Sequence, residues 1–356
     1  MALLFLSILI SFAASHSGRV EESPPPSLSL MFWNVENFFS PGEMEGKAWT
    51  PRRFNAKCNA VAKTILLAGE TYGGIPDFVG LAETGDAAVL RSLVHSTVLR
   101  KLDYGFIHYD SPDRRGIDCA LMYRKSRFEP ERSRPCHLYD SVGNILPTRD
   151  ILLVEGRMAG GLLLAVLVNH HPSKIGPSSG SARKTAMYRL AGLADSLKAA
   201  GIRHIVAVGD FNDQVATAPS LKKGDSNPGT IKFQGKWEVI DGCPLLEGLE
   251  GEVFIYNSPH LSTKDAGYGG EKPFRTFSGP RYAGGVSDHY PIFLKLIPSE
   301  PDRQAGSSGI PRPPLYNAAG LPRLRAGILP VQTRYEDVRM WSCRRANGTP
   351  GRRRTR

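Results

Sequence analysis

Five short apolar runs in this chain each meet a carboxylate, an amide or an imidazole at one end. They are Phe32-Trp33-Asn34-Val35-Glu36-Asn37, Gly80-Leu81-Ala82-Glu83, Val168-Asn169-His170-His171-Pro172-Ser173-Lys174, Gly209-Asp210-Phe211-Asn212-Asp213 and Val286-Ser287-Asp288-His289-Tyr290-Pro291. The first four polar groups follow a run that reads as a buried strand, and the fifth leads into one. Residues two apart on an extended chain share a face, so Asn34 and Glu36, or Asp210 and Asn212, emerge side by side. A single Asp-x-Asn after a strand is more often an Asx-turn than a site. Five such ends in one chain point instead to strands that converge on a common edge, which is how a site is assembled.

The rest of the chain supplies the elements for such a fold. Ser27 to Val35 reads as the opening strand, Asp77 to Ala82 as a second, and Tyr104 to Tyr109 and Ile117 to Arg124 as two more joined by the polar turn Ser111 to Gly116. Ile151 to Arg157 and Leu162 to Asn169 flank Gly160-Gly161 as a hairpin. His204 to Val208, Trp237 to Ile240 and Tyr290 to Leu296 complete the strands, and Pro219 to Gly235 reads as a surface loop. Helical periodicity marks Pro51 to Gly69, Ala87 to Lys101 and Ser181 to Gly201, the last with Ser181 as its cap. Strands alternate irregularly with helices, and hairpins occur beside crossovers. The expected class is therefore α/β, with two stacked mixed β-sheets flanked by helices rather than one doubly wound parallel sheet.

Residues 1–17 open on an apolar stretch followed by Ala13, Ala14 and Ser15, the pattern of a cleaved signal peptide. This predicts a secreted or periplasmic protein with no stable membrane insertion after cleavage. The catalytic body is expected over 27–298, and 299–356, rich in Arg, Pro and Gly, is expected to be disordered. That division changes the meaning of the net charge of +11. Twelve arginines and four acids fall in 299–356, leaving 33 basic and 30 acidic residues before it. The body is nearly balanced, so the overall basicity is no argument for nucleic-acid binding by the body. Of the five cysteines, Cys58 and Cys119 read as core residues, and Cys136 and Cys243 are a pair that an oxidising compartment could join.

Carboxylates and amides without a cysteine among them suit a hard cation, Mg2+ or Mn2+. Histidines in the same clusters offer general acid and base near neutral pH. No serine or cysteine stands in a strand-turn-helix nucleophile setting, so a bound water is the expected attacker. Together these groups describe hydrolysis of a phosphoester.

The five motifs, in this order, resemble those of the endonuclease/exonuclease/phosphatase superfamily, which includes deoxyribonuclease I, abasic-site endonucleases, inositol polyphosphate 5-phosphatases and neutral sphingomyelinases. The resemblance runs from about Ser27 to Ile297. It implies the four-layer α/β sandwich of deoxyribonuclease I. It implies Glu83 as principal metal ligand with Asn34 beside it, Glu36 as a further metal-side group, and Asp288 near the metal. It also implies that Asp210 orients or deprotonates the water, Asn212 hydrogen-bonds the phosphate, and His289 contacts the scissile phosphate with Asp241 orienting it. Position 170 is a tyrosine in abasic-site endonucleases and a histidine in deoxyribonuclease I and the phosphatase-like branches. His170 therefore argues against a dedicated abasic-site enzyme, and Asp118 is its candidate partner. His171 reads as a substrate-facing or surface residue, and Lys174 and Arg183 either as contacts to substrate phosphates or as ordinary solvated charge. The expected partner is a phosphoester, with nucleic acid the leading candidate. The expected activity is endonuclease-like phosphodiester hydrolysis. The alternatives are a phosphomonoesterase or lipid phosphodiesterase on the same scaffold, or a non-enzymatic nucleic-acid or anion binder using the Arg-rich tail. Oligomeric state is not legible.

Overall fold

The computed structural model describes residues 27–44, 49–174, 179–214, 220–222 and 229–299. The leader-like start, the Arg-rich tail beyond Ser299, and Cys343 lie outside these residues. In chain order the first elements are β1 (Leu28–Phe38), α1 (Pro51–Tyr72), β2 (Phe78–Thr84), α2 (Ala87–Ser96), β3 (Tyr104–His108), β4 (Asp118–Arg124), β5 (Phe128–Cys136), β6 (Ile151–Met158), β7 (Leu163–His170), α3 (Ser179–Ala199) and β8 (His204–Asp210). Then come β9 (Ser220–Lys222), β10 (Ile231–Phe233), β11 (Lys236–Glu238), β12 (Asp241–Glu247), β13 (Leu249–Ile255), β14 (Ser262–Lys264), β15 (Glu271–Pro273), β16 (Phe277–Ser278), β17 (Arg281–Tyr282) and β18 (Ile292–Pro298).

Seven strands form one sheet, β3-β4-β2-β1-β18-β13-β9, and five form a second, β12-β8-β7-β6-β5. The alternation of β7 and β8 sets the layers. Leu164, Val166, Val168, Val206 and Val208 enter the core between the sheets. Ala165, Leu167, Ile205 and Ala207 face the other way, onto Leu190, Leu193 and Leu197 of α3. On the far side of the larger sheet, Tyr72 of α1 stacks on Phe254 at 4.7 Å and meets Phe293 at 5.1 Å. The expected two-sheet sandwich with outer helices is the observed architecture.

The differences from expectation are local. The helix expected over Ala87 to Lys101 breaks at Thr97, whose hydroxyl donates to Leu93 O and accepts from Leu99 N, starting a separate 3-10 turn. The helix expected to be capped by Ser181 already runs from Ser179, which puts Ser181 inside its first turn. The stretch read as a surface loop contains β10, paired with β11. The Cys136–Cys243 pairing is ruled out by topology. The two lie on opposite edge strands, β5 and β12, with three strands between them. Four strand spacings of ~4.8 Å far exceed the ~7 Å Cα limit of a disulfide. Cys58, Cys119, Cys136 and Cys243 are all free and buried.

Candidate active site

Parallel pairing brings the strand ends together. β1 runs parallel to β2, with Asn34 opposite Ala82, and β7 parallel to β8, with His170 opposite Asp210. Asp241, the first residue of β12, sits across from Asp210 on the other flank of β8. Ile231 bridges His289, which adds the segment ahead of β18. Several residues here adopt left-handed backbone: Glu36, Asn37, Glu83 and Asn212 have φ of 46°, 47°, 61° and 50°. Such conformations at non-glycine residues cost ~1–3 kcal/mol each and persist where surrounding structure enforces them, often at functional sites.

His289 donates from Nδ1 to Asp241 Oδ2 at 2.8 Å. The other Asp241 oxygen is buried without a hydrogen-bond partner among the described residues. Burial alone would lower the His289 pKa, but Asp241, Asp210 and Asp288 outweigh it and raise the imidazole well above its usual range. That rise favours the protonated ring, whose Nε2 stands 3.9 Å from Asp210 Oδ2 and 4.0 Å from Asp288 Oδ1. Neither distance is a hydrogen bond, so the proton is available to a third group. Asp210 accepts from Asn34 Nδ2 at 3.0 Å and from Asn212 N at 2.9 Å. Burial first, then the Asp241 charge, pushes Asp210 up to about 7, against the lowering effect of His289 and these two hydrogen bonds. His170 goes the other way: burial, then Arg149, His289 and Arg115, hold it well below the usual imidazole range. Its Nε2 stands 3.7 Å from Asp210 Oδ2 and 4.0 Å from Glu83 Oε1.

Beside this triad lies a group of oxygen donors. Glu83 Oε2 accepts from Asn37 N at 2.8 Å and from Arg115 Nη2 at 3.3 Å, while Oε1 faces His170. Glu36 accepts from Thr276 N at 2.7 Å and from Arg275 Nε at 3.3 Å, and the same guanidinium donates to Asp288 Oδ2 at 2.6 Å. Burial, then the Asp288 charge, lifts Glu36 to about 7. Lys57 and Arg275 oppose that rise but do not cancel it. Crowded carboxylates with an adjacent amide oxygen are a donor set that fits a hard divalent cation. Asp210, Asp241 and His289 also bring ligand-type atoms within 4.8 Å of one another. His289 Nδ1 is committed to Asp241, however, so that group is better suited to moving a proton.

Other expected residues take different places. Asn212 Nδ2 donates to the His171 carbonyl at 3.0 Å. Lys174 pairs with Glu238, and Arg183 donates to Asp213 Oδ2 at 3.3 Å and to Ser173 O at 3.1 Å. His171 is no surface residue: it is buried at 2 % exposure, edge-on to Phe211. Asp118 does not partner His170. It accepts from His108 Nε2 at 3.2 Å and from Ser111 N at 2.8 Å, because the β3–β4 ladder places His108 next to it.

Sequence reasoning missed several supports. Arg275 and Thr276 lie in a loop with no periodic signal. Ser287 donates to Asn34 O at 2.6 Å and accepts from His289 N at 3.0 Å, tying the first motif to the last. Lys57 left a readable mark, a lysine inside the apolar stripe of α1 among Phe54, Cys58 and Val61. Burial draws it down to about 8, although Glu36, Glu83 and Asp288 act to raise it.

Comparison with solved structures shows the same fold. An endonuclease/exonuclease/phosphatase family protein from Bacteroides thetaiotaomicron aligns with a TM-score of 0.51 at 15% identity, covering 78% of this chain and 97% of that one. TDP2 from C. elegans gives 0.50 at 16%, covering 76% and 75%. A mannosyl-6-phosphatase from B. thetaiotaomicron gives 0.50 at 14%, covering 76% and 99%. No curated protein matches the chain. The profile of the endonuclease/exonuclease/phosphatase family matches residues 30–236 and 225–297, a span that takes in all five motifs. The chain belongs to that family and is a phosphoester hydrolase.

Proposed function

We propose that the protein hydrolyses phosphodiester bonds by attack of a bound water, in endonuclease-like fashion and with divalent-cation dependence. The observation that carries this is the pairing of an Asp210 carboxyl tuned to about 7 with an imidazolium at His289. A carboxylate near neutrality can take a proton from water. The imidazolium, fixed by Asp241, can give its Nε2 proton to an oxygen of the phosphate or leaving group. Neutral His170 offers a third contact between Glu83 and Asp210, and Asn212 would exchange its bond to the His171 carbonyl for a phosphate oxygen. Glu83, Asp288, Glu36 and Asn34 would hold Mg2+ or Mn2+, which when bound offsets negative charge on the phosphate. Oriented groups in a buried setting do the rest, because no reorganisation is needed as charge develops.

The test is hydrolysis by the chain lacking residues 1–17, with Mg2+ or with EDTA. Supercoiled DNA and bis-p-nitrophenyl phosphate would be compared with phosphomonoesters and sphingomyelin. Metal-dependent nicking and diester turnover are expected. Asp210→Ala and His289→Ala should each lose about 10²-fold or more in kcat. Monoester or sphingomyelin turnover without nicking would move the substrate to another branch of the family. Nicking that persists in both folded variants would sink the proposed roles.

A further inference from the structure

Lys57 is one of the largest fully buried side chains of the protein, and no step above uses it. An ammonium in an apolar helix stripe is costly unless its protons are satisfied. Its Nζ donates to the Glu36 carbonyl at 2.5 Å and to Thr276 Oγ1 at 2.7 Å. Thr276 Oγ1 in turn donates to Val286 O at 2.9 Å, while Thr276 N holds the Glu36 carboxylate. One ammonium therefore fastens three segments. They are the left-handed turn at Glu36 and Asn37, the Arg275–Thr276 segment that grips Glu36, and the chain entering Ser287-Asp288-His289. Packing alone would be served by methionine, which fills the same stripe at no desolvation cost. The distinctive contribution of lysine is a donor for the Glu36 carbonyl, which sits where the β1–β2 register shifts between Asn34 and Phe38.

We propose that Lys57 is a positioning residue for the cation site, holding the Glu36 turn and the Asp288 segment at the spacing a divalent ion requires. This rests on the cation reading of the proposed function. Groups that orient metal ligands from behind are typically worth about 10- to 100-fold in metal affinity.

The experiment uses the full chain and two readouts independent of turnover: Mn2+ binding followed by electron paramagnetic resonance, and amide hydrogen exchange of residues 36–39 without metal. Lys57→Met keeps an unbranched apolar stem, one atom shorter, and removes the donor. If the variant folds, Mn2+ affinity should fall about tenfold or more and exchange at 36–39 should rise. With bis-p-nitrophenyl phosphate, kcat should drop at fixed Mn2+ with KM little changed. Unchanged Mn2+ affinity in a folded variant overturns the proposal and makes Lys57 a core residue. Tighter binding overturns it too, since the charge would then merely oppose the ion. Should Lys57→Met fail to fold, Thr276→Val decides: a several-fold loss of affinity is expected, and no change overturns. Wild-type protein that binds no Mn2+, or binds it equally after Glu83→Gln, removes the cation reading itself and this inference with it.

Discussion

The His171 ring meets Phe211 edge-on at a centroid distance of 4.8 Å, and neither ring nitrogen finds a hydrogen-bond partner among the described residues. Burial, then Arg149 and Arg183, lowers it to about 3. The unfolded chain titrates this group near 6.5, so between the two values it binds a proton that the folded protein does not. Stability is then complete above about 6.5 and declines as pH falls toward about 3. At pH 5 the loss from this one group amounts to about 2 kcal/mol. An apolar ring of similar shape removes both the titration and the unsatisfied nitrogens. His171→Phe should therefore flatten this limb. Urea denaturation should show it gaining about 2 kcal/mol over wild type between pH 8 and pH 5. An equal pH dependence in both proteins would disprove the assignment. The sequence could not reveal this burial: His-His before proline at a strand end looks the same whether the second ring faces out or in.

Gly209 shows what the strand pairing demands. A Cβ there would lie 2.5 Å from both the Cβ and the carbonyl oxygen of Asn169, its partner across β7 and β8. Both atoms belong to a buried ladder, so relief would require the strands to part. Gly209→Ala should cost about 1–3 kcal/mol and lower kcat as well, because Asp210 and His170 are the next pair along. Chemical denaturation alongside diester kinetics checks this; full stability with full activity would refute it. The strands β1, β2, β7 and β8 that carry most of the site were legible because buried strands write continuous apolar runs that end at polar groups. β5 was not, since Phe128 to Cys136 holds two prolines and several charges, a composition an edge strand tolerates. β12 and β13 were missed for a related reason: prolines, glycines and acids interrupt them. Arg275 and Thr276 reach the site through tertiary closure, which no local period records.

At the scale of the whole molecule, the balanced body and the basic segment make separate predictions. Removing residues 299–356 deletes twelve arginines and four acids. If the chain meets nucleic acid, that deletion should weaken binding and flatten the dependence of log K on log salt. Turnover of bis-p-nitrophenyl phosphate should stay close to that of the full chain. Filter binding across a salt series reads the first, and an unchanged slope would show that the body alone supplies the contacts. Among the described residues no helix is long and apolar enough to cross a membrane. The four buried free cysteines carry a further consequence. Burial raises the thiols of Cys58 and Cys243 to about 12 and pushes Cys119 and Cys136 upward as well. The described fold asks nothing of an oxidant, and its thiols stay silent toward alkylating reagents while it is closed. Cys136 and Cys243, on opposite margins of one sheet, thus become paired clocks whose labelling rates time the fraying of each margin separately.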